Sequence, residues 1–277
     1  MRQPLVAIAV VTTIAAVTSV AVGAPETQRH ELVEAVKAPS RAPANVARDR
    51  YRHPVETLAF FGVKPTDTVV EIWPGGGWYT EILAPYLKNR GSLWLAVPGP
   101  GALGTIDRLL ERNRAVPGYS TVRTAAFPDW ASNGVLSPVP DGTADVVLTF
   151  RNVHNWRMGA QRGGVAYAPE AFAQMFAMLK PGGTLGVVDH RLPEGADSER
   201  ERSSGYVKVS TVRKLAEDAG FEYVGASEIN ANPQDRTDWP RGVWTLPPSF
   251  ALKDEDRAKY AAIGESDRMT LKFRKPK

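Results

Sequence analysis

The chain has no cysteine among its 277 residues. That absence excludes disulfides, thiolate-bound zinc and a cysteine nucleophile together. Histidine is scarce, with four copies at His30, His53, His154 and His190. They lie far apart in the sequence and no pair has the spacing of a helical metal motif, so no metal site is expected. A Gly-x-Ser-x-Gly nucleophile turn is absent as well. Charge of one sign is also lacking: 34 Lys and Arg against 30 Asp and Glu leave a net charge of +4. These charges are scattered and form no basic stripe, so nucleic acid is not an expected partner. After the N-terminus no apolar run is long enough to span a bilayer.

What is present suits a folded protein. Apolar residues make up 43% and charged residues 23%, and the length allows one large α/β domain with a leader and no need of disulfides. Met1-Arg2 is a short positive start, and Pro4 to Val22 is uncharged and dominated by Val, Ala and Ile. This pattern predicts a signal peptide over residues 1–24, or an uncleaved anchor. Cleavage fits after Ala21, behind Ser19-Val20-Ala21, or after Ala24, behind Val22-Gly23-Ala24. Pro25 disfavours the second. The expected location is periplasmic or secreted, with the N-terminal segment as the only membrane contact if it is retained at the inner membrane. Residues 25–50, with Pro39 and Pro43, read as a linker carrying a short helix over Arg29 to Val36. The folded domain is expected over residues 51–277.

From Asp67 onward strands and helices alternate. Thr68 to Ile72 and Asp145 to Phe150 are apolar runs of strand length. Ser92 to Val97, Thr121 to Phe127, Thr184 to Asp189, Glu222 to Ile229 and Met269 to Arg274 are further predicted strands. Helices are predicted over Trp78 to Leu87, Ile106 to Arg114, Pro169 to Leu179 and Val209 to Ala219. Such alternation predicts a mostly parallel sheet with helices on both faces.

Between the first strand and its helix stands Val70-Glu71-Ile72-Trp73-Pro74-Gly75-Gly76-Gly77. It resembles the first motif of class I S-adenosylmethionine-dependent methyltransferases, an acid at a strand end followed by glycines. The segment Met178-Leu179-Lys180-Pro181-Gly182-Gly183-Thr184-Leu185 is similar to that family's helix-to-fifth-strand turn. Within the family the chain is most similar to a set of exported predicted methyltransferases, through Glu71 to Pro74 and Trp239-Pro240-Arg241-Gly242-Val243-Trp244. The resemblance covers about Tyr51 to Lys277. It implies a Rossmann-like three-layer sandwich with a seven-stranded, mostly parallel sheet, S-adenosylmethionine as cofactor and a small-molecule methyl acceptor.

The cofactor contacts it implies are Glu71, Trp73, Gly75, Gly76, Gly77, Asp129 and Asn152. Two departures stand out. Trp73 occupies the place of the family's first glycine, and the second strand ends in Val97-Pro98, where an acid for the ribose is usual. On the substrate side, Arg151-Asn152-Val153-His154-Asn155-Trp156 follows the apolar fourth strand, where open sheets bind ligands. His154 is the candidate general base, with loop packing as its alternative. His53, Trp156, His190 and Arg191 are candidate pocket residues, and Asp238 to Pro248 is a candidate lid. A second reading of the whole chain is a small-molecule-binding or accessory protein that keeps this fold without methyl transfer.

Overall fold

The computed structural model describes residues 26–277. The predicted leader, with both candidate cleavage sites, lies outside the described residues. Four short helices come first: α1 (Glu26–Val36), α2 (Pro43–Val46), α3 (Asp49–Arg52) and α4 (Pro54–Phe61). The alternating part follows as β1 (Thr68–Ile72), α5 (Thr80–Leu87), β2 (Ser92–Val97), α6 (Pro100–Arg112), β3 (Arg123–Ala126) and β4 (Ala144–Phe150). Then come α7 (Val153–Arg157), α8 (Ala168–Met178), β5 (Leu179–Leu192), β6 (Val207–Lys208), α9 (Val209–Asp218), β7 (Glu222–Ser227), α10 (Arg257–Ile263) and β8 (Arg268–Arg274).

The main sheet runs β3-β2-β1-β4-β5-β8-β7, with the short β6 paired to the end of β5. Neighbours from β3 to β5 are parallel, and β8 is antiparallel to both β5 and β7. Strands β1 and β4 are buried over most of their length, which explains why they read as continuous apolar runs rather than alternating ones. Leu32, Leu58, Ile82, Leu83, Ile106 and Leu109 cover one face of the sheet. Phe172, Met175, Val212, Leu215 and Ala216 cover the other. The result is the expected three-layer sandwich. The chain leaves β1 toward one edge and β4 toward the other, so a crevice opens beyond their carboxyl ends.

The folded body begins well before Tyr51. Leu32 and Ala35 of α1 are buried among Leu58, Phe61 and Ile82. Arg41 is buried and pairs with Asp49 at 2.7 Å. The Ala42 N–H and the Asn45 side-chain amide both donate to the Glu81 carboxylate, at 3.1 and 2.9 Å. The stretch read as a linker is therefore an integral layer of the domain. Its polar composition hides this, because only one narrow stripe of α1 meets the core. Among the described residues no helix is long and apolar enough to cross a membrane.

Candidate active site

Strand β1 delivers Glu71 to the crevice. Its carboxylate is buried and accepts from the Thr80 hydroxyl at 2.7 Å. Burial pushes its pKa up to about 7, against the opposing pull of that hydroxyl. The turn then opens on Trp73 in the left-handed region, at φ 50°, a conformation that costs a non-glycine residue roughly 1–2 kcal/mol. The indole is pinned there by a 2.7 Å hydrogen bond from its Nε1 to the Phe127 carbonyl at the end of β3. A Cβ built on Gly75 or Gly76 would meet nothing within 4 Å, so the turn presents bare backbone to open space. Gly77 differs: a Cβ there would stand 2.2 Å from Leu109 Cδ2. Its role is close packing of the turn against α6, not the ligand contact expected of it.

Strand β4 delivers the second wall. Arg151 leaves the strand in the left-handed region, at φ 63°, and α7 begins at once. The Asn152 side-chain amide donates to the Ile72 carbonyl at 2.9 Å and to the Thr149 hydroxyl at 3.2 Å, tying the ends of β1 and β4 together. His154 follows, buried, with Nδ1 2.7 Å from Asp189 Oδ1. Asp189 also accepts the backbone N–H of His154 at 3.0 Å and of His190 at 2.7 Å. A carboxylate at Nδ1 selects the tautomer that carries the proton there and leaves Nε2 as the basic nitrogen. The His190 ring lies 5.0 Å from the His154 ring, and its Nδ1 shares a hydrogen bond with the Ser266 hydroxyl. Burial first, then the neighbouring His154 and arginines, drive the His190 pKa well below 6.5, so it is neutral at pH 7.

The sequence distance between His154 and His190 is thus deceptive. The fold brings both to Asp189, with ligand-capable atoms of all three within 4.8 Å of one another. The three N–H donors already on Asp189 make the cluster a device that orients an imidazole.

Two cavities flank the turn. A polar one of about 360 Å³ is lined by Arg48, Arg52, Glu71, Trp73, Gly75, Gly76, Arg151, Asn152, His154 and His190, with Trp244, Pro247 and Pro248 among its other walls. A more apolar one of about 380 Å³ lies toward β2, lined by Val97, Pro98, Ala102, Thr105 and Ile106. Trp73, Pro74, Gly75 and Asn152 belong to both. The candidate lid does form a wall of the polar cavity, through Trp244, Pro247 and Pro248.

Of the expected site residues, Glu71, Trp73, Gly75, Gly76, Asn152, His154 and His190 converge here. Five others line neither cavity: Gly77, packed against α6 as described, and four more. Asp129 is exposed, and its carboxylate is taken by the Gln174 side-chain amide at 2.8 Å and the Trp130 N–H at 2.7 Å, as suits a turn former. Trp156 is fully buried against Trp73, Phe127 and Phe172, so it supports the pocket from within the core. His53 is the left-handed link between α3 and α4. Arg191 is held by Asp267 and Glu228, at 2.7 and 2.8 Å. It lies within the last residues of β5 and faces these acids. Sequence reasoning missed Asp189 as the partner of His154, and it missed Arg48, Arg52 and Arg151. The recurrence of arginine at 48, 50 and 52 is the signal in the sequence, and it straddles the boundary between the stretch read as a linker and the expected domain.

No protein-family model and no curated protein matches the chain. Solved structures do. A SAM dependent methyltransferase from Aquifex aeolicus aligns with 89% of this chain and 97% of its own, at 15% identity and a TM-score of 0.53. A protein assigned as a sarcosine dimethylglycine methyltransferase from Galdieria sulphuraria aligns over 83% and 85%, at 15% identity and a TM-score of 0.55. The [4+2]-cyclase SpnF aligns over 92% and 97%, at 17% identity and a TM-score of 0.53. At such identities the likeness is one of architecture, and the chain has the Rossmann-like fold of class I S-adenosylmethionine-dependent methyltransferases.

Proposed function

We propose that this chain is an exported S-adenosylmethionine-dependent methyltransferase acting on a small molecule. The observation that carries the reading is the His154–Asp189 pair, set beside a bare glycine turn at the point where the strand order reverses. The residues fit the cofactor: Gly75 and Gly76 leave room for close backbone approach, Glu71 offers a carboxylate to an ammonium group, and the cavity toward β2 offers apolar walls to an adenine. Bound there, S-adenosylmethionine would supply an electrophilic methyl group. The protein's share is positioning and proton transfer. Asp189 holds the imidazole, and His154 Nε2 would take up the proton released by the acceptor's nucleophile. The Trp244-to-Pro248 segment covers the cavity and limits water.

One observation favours a second reading, a binding or accessory protein without methyl transfer. The Trp73 indole stands between the two cavities where a glycine is usual, and no acid closes β2. That SpnF is a cyclase on the same architecture shows that the fold does not oblige methyl transfer. Mass spectrometry of ligands retained by natively purified protein separates the two. Retained S-adenosylmethionine or S-adenosylhomocysteine is the expected result; an unrelated small molecule alone supports the second reading. Export is tested by fractionation, with full-length chain expected in the periplasm or membrane. Full-length chain found only in cytosol, with an intact N-terminus, would refute it.

A further inference from the structure

Part of the polar cavity wall is arginine, and its counter-charge is incomplete. Glu265 accepts from Arg48 Nε at 2.6 Å, from Arg52 Nε at 3.1 Å and from Arg268 Nη1 at 3.0 Å. One carboxylate thus serves three guanidiniums. Burial pushes Glu265 upward, but Arg268, Arg52, Arg48 and Arg151 outweigh it and hold the carboxyl at about 2. That charge is ionised and fully used. Even so, Arg52 is only 4% exposed and keeps its Nη2 buried without a partner, and Arg48 keeps its Nη2 unpartnered too. Arg151 adds a further guanidinium to the same cavity from the strained end of β4. Burial, then repulsion from Arg151, lowers Arg52 to about 9, so it stays charged at neutral pH. Of the other buried acids nearby, Asp189 is occupied by the two histidines, and Glu71, held by the Thr80 hydroxyl and pushed up to about 7 by burial, supplies at most part of a charge at neutral pH.

Buried guanidinium N–H groups left without partners are costly, and they persist where an anion completes them. The cofactor does not balance this charge. S-adenosylmethionine carries a sulfonium, an ammonium and one carboxylate, so its binding adds net positive charge to the site. The missing negative charge has to come from the other reactant. We propose that the methyl acceptor carries an oxyanion, a carboxylate or phosphate group, held by Arg52, Arg48 and Arg151. The inference rests on the methyl-transfer reading and names its substrate class. The guanidinium fork matches the two oxygens of such a group. Anchored there, the acceptor would lie in the same cavity as His154 Nε2.

The test is calorimetry on the full chain with inorganic phosphate, S-adenosylhomocysteine and 5′-methylthioadenosine, which lacks the amino-acid tail and its carboxylate. Phosphate is expected to bind protein saturated with S-adenosylhomocysteine. Arg52→Gln and Arg151→Gln should each weaken phosphate by about tenfold or more, with S-adenosylhomocysteine changed by less than about threefold. Arg151→Lys, which keeps the charge and disturbs folding least, should recover part of the loss. No phosphate binding by the wild type, or binding unchanged in both variants, overturns the proposal. So does a loss of about tenfold for S-adenosylhomocysteine with 5′-methylthioadenosine unaffected, because the arginines then hold the cofactor's own tail. A wild type that binds phosphate through these arginines but neither nucleoside keeps the oxyanion site and removes the methyl-transfer reading, so the two failures are distinguishable.

Discussion

The two cavities beside Trp73 share a wall and differ in almost everything else. The one toward β2 is lined by Val97, Pro98, Ala102 and Ile106 and offers little beyond shape. The other gathers three arginines, two histidines and a raised carboxyl. Apolar walls bind by area and tolerate many occupants, whereas buried charges cost free energy unless their partners are specified. Under the proposed function, the apolar side would take a flat ring and the charged side would carry the chemistry.

The largest expected effect falls on the charged side. His154→Ala should lower turnover by roughly 100-fold or more, with the melting temperature nearly unchanged, measured on the acceptor identified from retained ligand. A loss of activity that tracks a loss of stability would make His154 a packing residue instead. Asp189→Asn should lower turnover with little change in KM, because Asp189 acts by fixing the orientation of the His154 ring and which of its nitrogens carries the proton. Turnover unchanged in that variant, or a loss that falls on KM instead, would remove Asp189 as a positioning residue.

Support for the cavity from the N-terminal layer comes next. Leu32→Ala should destabilise the protein by about 2–4 kcal/mol in denaturant unfolding, the usual cost of truncating a buried leucine. A change below about 0.5 kcal/mol, typical of surface sites, would return residues 26–50 to the status of a linker.

The smallest effect is in the pH dependence of stability. Glu71 has its folded pKa raised to about 7 from 4.5. Between those values the folded chain binds a proton that the unfolded chain has released, so stability from this group falls as pH rises through the window. Glu71→Gln should remove a slope on the order of 1 kcal/mol per pH unit there. His190 acts in the opposite direction. Its folded pKa is depressed, so the unfolded chain protonates first as pH drops below about 6.5, and stability is lost toward acid. His190→Gln should flatten that limb. Urea midpoints measured from pH 5 to pH 8 read both, and parallel curves for Glu71→Gln and wild type would contradict the assignment.

The same contrast governs what the sequence disclosed. Strands β1 and β4 were legible because burial on both faces demands apolar, β-branched runs, and the Gly75-Gly76 turn because only glycine leaves backbone bare. The charged side was not. Asp189 and His190 do point to different partners, as alternation along a strand requires, yet the group that Asp189 orients comes from another strand's exit. Their meeting depends on the β4–β5 register, in which Phe150 pairs with Val188, and no periodicity carries that. Arg48 and Arg52 were hidden because charge in a polar stretch looks the same whether it faces solvent or a cavity. Trp156 and Asp129 were misplaced for the converse reason: adjacency to a motif does not fix which way a side chain turns.

Titration of S-adenosylhomocysteine into wild type and Gly75→Val tests most directly whether the bare turn between the two cavities is a cofactor site. The wild type is expected to bind and the variant to lose at least about 100-fold, since a branched side chain would fill the space the backbone leaves open. Equal affinity in the two proteins, or no binding to the wild type at millimolar ligand, would contradict it.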